Sequence, residues 1–328
     1  MPSLSESLAG IGEMFGAYRS MSRQGVLGMN ARNRLYIGRY NQRRLFPLVD
    51  NKLKTKQLAQ QYEIAVPELI GVIDSQHQVS MLSKHLLGLE SFVIKPAKGS
   101  GGKGILVIQG HDGDGWIKAS GDRVTLQDVQ RHVSNILAGL YSLGGAQDVA
   151  IIEHCIRFDD SLANYSFEGV PDIRVIVCRG FPVMAMTRLA TRESDGKANL
   201  HQGAVGVGLS LKTGRAINGV MHGKLVQAHP DTLERLSELV IPQWDELLNL
   251  AAGCYEMTGL GYIGTDVVID RDKGPMLLEL NARPGLAIQM ANGKGLLPGL
   301  RKIDALTDAE LRRPAAQRVA LSQQWFAD

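Results

Sequence analysis

Residues 261–285 read GYIGTDVVIDRDKGPMLLELNARPG, and the fold is decided here. Positions 265–269 are β-branched or apolar apart from Asp266, and positions 276–280 are apolar apart from Glu279. The segment between them, 270–275, is Asp-Arg-Asp-Lys-Gly-Pro, which is turn chemistry. The pattern predicts an antiparallel hairpin. Side chains alternate along a strand, which puts Met276, Leu278 and Leu280 on one face and Glu279 and Asn281 on the other. Pairing Asp270 with Pro275 across the turn sets Asp266 opposite Glu279 on one face. Carboxylates opposed in this way repel unless a cation lies between them. Magnesium takes oxygen ligands and binds through one or two carboxylates plus substrate phosphates, so Asp266, Glu279 and Asn281 are expected to hold it. The plainer alternative is a polar face that only meets solvent.

The 328 residues are 44% apolar and 5% aromatic, which suits one large or two moderate domains with a proper core. A net charge of +3 is too mild to indicate nucleic acid, though it favours anionic substrates. Cys155, Cys178 and Cys254 are odd in number and widely spaced, so neither a disulfide framework nor a zinc motif is indicated, and a reducing, cytoplasmic setting fits. No apolar run approaches the roughly eighteen residues of a membrane span, and no signal-peptide order opens the chain.

Residues 1–50 form a basic arm. Leu8, Ile11, Met14, Phe15, Tyr18 and Met21 recur at loosely helical spacing, and Arg19, Arg23, Arg32, Arg34, Arg39, Arg43 and Arg44 accumulate without a lysine. Such an arm either packs on the domain with solvated guanidiniums or anchors an acidic partner or phosphates. Asp50-Asn51 then caps a helix over 52–62 that ends before Val66-Pro67. Lys52, Lys54 and Lys56 crowd its first turns against the macrodipole, which points at least one of them at an anion, although a solvated face is the default.

Residues 92–108, FVIKPAKGSGGKGILVI, read as two strands around a glycine-dense loop. Gly99, Gly101 and Gly104 match a dinucleotide fingerprint literally, but a strand follows where that motif and the P-loop of nucleoside triphosphatases require a helix. What survives is a flap able to fold over a triphosphate, with Lys95 on the incoming strand; a structural hairpin is the alternative. Thr125 and Asp128 resemble a capping box for a helix through Leu140, and a strand over 149–152 leads to Glu153, His154 and Cys155, whose backbone can meet an adenine edge.

Strands are expected at 172–178 and 182–190, interrupted by Arg174 and Arg188, which as buried arginines each require a carboxylate or phosphate. A polar loop over 191–203 carries Arg192, Asn199, His201 and Gln202. Asp231 with Glu234 predicts a helix through Leu233, Leu236 and Val240, Pro242 starts another through Tyr255, and residues 299–328 read as a helical tail.

Taken together, residues 50–298 resemble the ATP-grasp ligases, and within them the RimK-type α-L-glutamate ligases. Asp50-Asn-Lys52 and Ile94-Lys95-Pro96 look like the phosphate-contacting lysines, followed by the flap of Gly99, Ser100, Gly101, Gly102, Lys103 and Gly104 and by Glu153 at the adenine hinge. Arg174, Arg188 and the run from Ala198 through Asn199 and His201 to Gly203 look like the segment reaching the phosphates and the reacting carboxylate, and Asp266, Glu279 and Asn281 match the magnesium ligands. The resemblance implies an α+β, two-subdomain ATP-grasp fold: a helical basic arm over 1–50, a first subdomain with the flap over 51–154, a second with the metal hairpin over 155–300, and a tail over 301–328. It implies ATP as substrate, magnesium (two ions, with manganese an admissible substitute), an acyl-phosphate route from a carboxylate and an amine to an amide, amino-acid or peptide substrates, and room for a homo-oligomer. Two departures bear on substrate choice. Arg283 stands where the glutamate-adding relatives usually carry a small residue, as a clamp for a second carboxylate or a brace for Asp266 or Asp270, and the stretch before Lys52 is too short for the α/β domain that usually precedes the grasp. An insert over 158–171 leaves Asp159, Asp160 and Glu168 open as the ribose partner. A phosphotransferase, a silent nucleotide-binding or scaffold protein, and a basic nucleic-acid module are the rival classes.

Overall fold

The computed structural model describes residues 22–326 except 100, 114 and 119, so the helical pattern expected over 3–21 and Ser100 lie outside the described residues. Two antiparallel sheets organise the chain. The first has the order β1-β6-β2-β3-β4-β5, with β1 Leu69–Ile73, β2 Phe92–Pro96, β3 Leu106–Asp112, β4 Gly115–Lys118, β5 Arg123–Val124 and β6 Ala150–Glu153. The second runs β11-β10-β9-β8-β7-β12-β13, with β7 Asp172–Cys178, β8 Phe181–Leu189, β9 Val205–Leu209, β10 Ala216–Met221, β11 Lys224–Val226, β12 Tyr262–Asp270 and β13 Gly274–Asn281. Among the described residues, five helices of eight residues or more pack on them: α1 Lys52–Gln61, α2 Leu126–Leu137, α3 Trp244–Thr258, α4 Leu297–Asp304 and α5 Ala315–Trp325.

The helix starts follow their sequence signals. The Asn51 side chain accepts from the Leu53 and Lys54 amides at 3.0 and 3.1 Å, satisfying donors that the first turn of α1 leaves open. Thr125 and Asp128 cap α2 reciprocally. That helix stops at Leu137, short of the expected Leu140. Gly139 turns out of it at φ +80°, where an added Cβ would strike the carbonyl of Ala146, and Leu140 is left exposed. Val129, Val133 and Ile136 of α2 pack against Phe92, Ile94 and Ile152 on one face of the first sheet. Leu247, Leu248, Ala251 and Cys254 of α3 cover one face of the second sheet over Val175, Val177, Val267 and Ile269. Each such buried aliphatic contributes on the order of 1.5–3 kcal/mol. The other face meets Leu27, Tyr36, Leu300 and Ile303, from the arm and from α4.

The helix expected from Asp231 and Glu234 does not form; only a short 3₁₀ turn, Leu236–Glu238, appears there. The fully buried His229 takes the Asp231 and Thr232 amides on Nδ1 at 3.3 Å and donates from Nε2 to the Ala190 carbonyl at 3.0 Å. The Asp231 carboxylate instead accepts from the Arg192 amide at 2.7 Å, so the residue read as a helix cap secures a neighbouring loop.

The hairpin of β12 and β13 has a different register from the expected one. Asp270 pairs with Gly274 and Ile269 with Pro275, yet Asp266 still faces Glu279, because a bulge between Asp266 and Val267 on one strand absorbs Leu278 on the other. Without that bulge the turn would set Glu279 opposite the fully buried Thr265. Leu277 and Leu280 therefore share the core, in place of an unbroken alternation of Met276, Leu278 and Leu280.

Candidate active site

Lys52, Lys56, Lys95, Glu153 and Glu279 line one narrow cleft between the sheets, closed at its sides by Val49, Val66, Pro67, Leu277 and Leu280. Each residue arrives by strand or helix periodicity. Ile94 and Ile152 point into the core below the first sheet, so Lys95 and Glu153, one position further on, emerge on its other face. Lys52 and Lys56 are four apart in α1 and share a helix face. Glu153 is almost completely buried and holds two ammonium groups, Lys56 at 2.8 Å and Lys95 at 2.7 Å. Lys56 also donates to the Pro67 carbonyl. Burial lowers the pKa of Lys56, with Glu153 pulling it back up. Lys52 reaches across the cleft, donating to the Gly99 carbonyl at 2.6 Å and lying 3.3 Å from Glu279.

The flap between β2 and β3 is fastened at its base. Asp148 accepts from the Lys98 amide at 2.9 Å and from the Ser142 hydroxyl at 2.6 Å. The Lys52 amide donates to the Ala97 carbonyl at 2.8 Å, and His132 of α2 meets the Gly104 carbonyl at 3.0 Å. Gly104 has φ +76°, and a Cβ there would lie 2.5 Å from the Tyr141 ring, so only glycine fits. Gly101 and Gly102 also take positive φ, with open space around them; Lys103 between the two ends of the flap is exposed.

The facing wall is built by register. Arg174 of β7 is opposite Asp266 of β12, Arg188 of β8 is opposite Asp172 of β7, and Glu279 of β13 is opposite Asp266, so four adjacent strands line these groups up. Arg174 grips Asp266 with both Nε and Nη2, the latter at 2.6 Å. Arg188 grips Asp172 in the same forked manner and lies 3.1 Å from Asp266 Oδ2. Burial pushes Asp172 up to about 6 against the pull of Arg188. Burial also pushes Asp266 up, but Arg174 and Arg188 together hold it below the usual carboxylate range. Asn281 donates its amide to Asp266 at 3.3 Å, which leaves its carbonyl oxygen and the half-exposed Glu279 carboxylate as hard oxygen donors beside it. This donor set fits a hard divalent cation.

Other predicted residues lie elsewhere. Asn199 caps the short turn Leu200–Gln202, accepting from the His201 amide at 3.0 Å, and His201 is exposed; the loop is closed on itself by Thr191, Ser194 and Gly203. The His154 amide is engaged by the Glu68 carbonyl at 3.0 Å, and Cys155, its thiol pushed up to about 11 by burial, donates to the Ile108 carbonyl at 3.2 Å. Asp159 accepts from Ser161, and Asp160 pairs with Arg271. Arg283 braces neither Asp266 nor Asp270. β13 ends at Asn281, and the Arg283 guanidinium lies 4.8 Å from the centre of the Phe46 ring. Lys56, one of the three lysines that crowd the start of α1, and Asp172, which opens the Asp-Ile-Arg174 run of the resemblance, also belong to the site, Lys56 on Glu153 and Asp172 on Arg188.

Residues 31–305 match the family described as sugar-transfer associated ATP-grasp, and the chain belongs to that family. Its fold is the α+β ATP-grasp fold. No curated protein matches the sequence. Among solved structures it is similar to the ATP-grasp ligase PsnB complexed with a minimal precursor, at 13% identity and a TM-score of 0.43 over 86% of this chain and 63% of that one. It is also similar to D-cycloserine synthetase DcsG, at 15% identity and a TM-score of 0.43 over 85% and 71% of the two chains. A RimK domain ATP-grasp protein from Sphaerobacter thermophilus gives 13% identity and a TM-score of 0.44 over 80% and 70%. The chain thus spans less than two thirds of PsnB. Among the described residues no helix is long and apolar enough to cross a membrane.

Proposed function

We propose that the protein is an ATP-dependent ligase that joins a carboxylate to an amine through an acyl phosphate, releasing ADP and phosphate. The observation that carries this reading is one cleft in which Lys52 and Lys56 of α1 and Lys95 of β2 gather with Glu153 and with Glu279 of the β12–β13 hairpin, Lys52 also reaching the Gly99 carbonyl of the glycine flap. In this reading ATP lies between the sheets, with Lys52, Lys95 and the backbone amides of the flap on its phosphates. Glu279, Asn281 and Asp266 would hold magnesium, which when bound spreads the charge of the phosphate oxygens. Arg174 and Arg188 keep Asp266 ionised and in place. A substrate carboxylate attacks the γ-phosphoryl group in line, and the amine then displaces phosphate from the acyl carbon. The chain contributes by positioning and by neutralising charge, and no side-chain nucleophile is needed. Closure of the flap keeps water from the acyl phosphate.

Amino acids and peptides are the first candidate substrates, in the cytoplasmic setting that the cysteines fit. The family's association with sugar transfer adds amino sugars and sugar acids to the panel. The test supplies ATP, magnesium and that panel, with hydroxylamine present to trap an acyl phosphate. Equimolar ADP and phosphate with a hydroxamate is the expected result. A stable phosphorylated acceptor without free phosphate would replace the ligase by a phosphotransferase, and no ADP with any acceptor would leave a silent nucleotide-binding protein.

A further inference from the structure

Glu153 sits between two lysines, and this imbalance is unusual for groups so deeply placed. Lys56, Lys95 and Glu153 are 4%, 5% and 2% exposed, and one carboxylate can offset only one of the two ammonium charges. An excess charge shielded from water is costly unless an anion meets it. The arrangement is also fixed geometrically, because Lys56 is tied both to Glu153 Oε1 and to the Pro67 carbonyl, while Lys95 takes the other carboxylate oxygen. The other carboxylate of the cleft, Glu279, is met by Lys52 at 3.3 Å, and Val49, Val66 and Leu277 complete the surroundings.

We infer that Lys56 is a positioning residue of the nucleotide site: by occupying one oxygen of Glu153 it leaves Lys95 with positive charge to spare for a polyphosphate. Glu153 then serves as the charge-setting hub of the site, a role distinct from an adenine contact. Removing Lys56 would let Glu153 neutralise Lys95 fully, and removing both Lys56 and Glu153 would return the excess. The inference rests on the nucleotide-site reading above.

The experiment measures binding of ATP and of adenosine, the uncharged probe, to the full chain by calorimetry, with thermal melts to check folding. Lys56→Met is expected to weaken ATP about tenfold or more while adenosine is unchanged, and Lys56→Met with Glu153→Gln is expected to return ATP to within about threefold of the wild type. ATP binding by Lys56→Met equal to wild type would overturn the inference, as would an equal loss of adenosine or a double variant about tenfold weaker than wild type. If Lys56→Met alone does not fold, the double variant, which keeps the wild-type net charge with Lys95 as the remaining ammonium, decides by the same threshold. A wild-type chain that binds no ATP would instead remove the nucleotide-site reading itself.

Discussion

The wall of the cleft formed by the first sheet and α1 uses lysines in excess of carboxylates, Lys52, Lys56 and Lys95 against Glu153. The wall formed by the second sheet uses arginines already matched by acids, Arg174 on Asp266 and Arg188 on Asp172. Lysine is a point charge on a flexible stem and can shed its proton when buried, whereas a guanidinium stays charged and binds in a fixed fork. The first wall is therefore suited to an incoming anion, and the second to holding one carboxylate still.

The largest expected effect breaks the second wall. Asp266→Asn leaves the buried Arg174 guanidinium facing a neutral amide, while Arg188 keeps Asp172, and should cost about 3–5 kcal/mol, read from the urea midpoint. Glu153→Gln should cost clearly less, because one lysine can deprotonate; equal losses would erase the contrast between the walls. Next, Lys95→Ala should weaken ATP about ten- to a hundredfold in calorimetry while the chain stays folded, since Lys56 still pairs with Glu153. Full ATP affinity in that variant would take Lys95 out of the site.

A smaller effect concerns the flap. Burial lowers the pKa of His132, which meets the Gly104 carbonyl, so the folded state binds this proton less readily than the unfolded chain. The sign follows from that: His132 contributes stability above its unfolded value near 6.5, and the contribution is lost as pH falls through the lower folded value. His132→Gln should flatten the fall of the urea midpoint between about pH 7 and 5. The smallest is Arg283→Ala, expected to cost about 0.5–1 kcal/mol through its lost contact with Phe46. A large rise in the Michaelis constant for the carboxylate would return Arg283 to substrate binding.

Much of this was legible in the sequence because it depends on local chemistry. Turn residues, the Asn51 cap and the β-rich flanks of the flap announce themselves within a few positions. Asp266 was rightly set opposite Glu279, but by a register that the chain does not use: periodicity cannot show where a bulge absorbs a residue. Such a bulge is favoured when regular pairing would bury a carboxylate, as it would bury Glu279 against Thr265. The fate of Asp231 was hidden because its carboxylate's partner, the Arg192 amide, comes from a loop distant in sequence, and because His229, two residues before it, takes its amide. Lys56 looked like any lysine on a solvated helix face, since its burial comes from Glu153 and Pro67, brought there by separate strands and turns.

Asn41 donates its side-chain amide to the carbonyls of Tyr262 and Ala282 at 2.7 and 3.0 Å and accepts from the Tyr262 amide at 2.9 Å. One side chain thus stands in for a neighbouring peptide group at the open end of the hairpin. The covalent order of the chain and its mechanical order differ here: the arm is spliced in sequence to the lysine helix but is keyed into the acidic hairpin. A truncation made at residue 51, at the start of the first subdomain, would pull the key from the lock and leave both main-chain groups of Tyr262 at the start of β12 and the Ala282 carbonyl just past β13 without this partner. The natural seam for a minimal functional fragment therefore runs before Gln24, whose carbonyl accepts from the Gly295 amide at 3.1 Å, with the Leu27 amide held by Gln289 at 2.8 Å behind it.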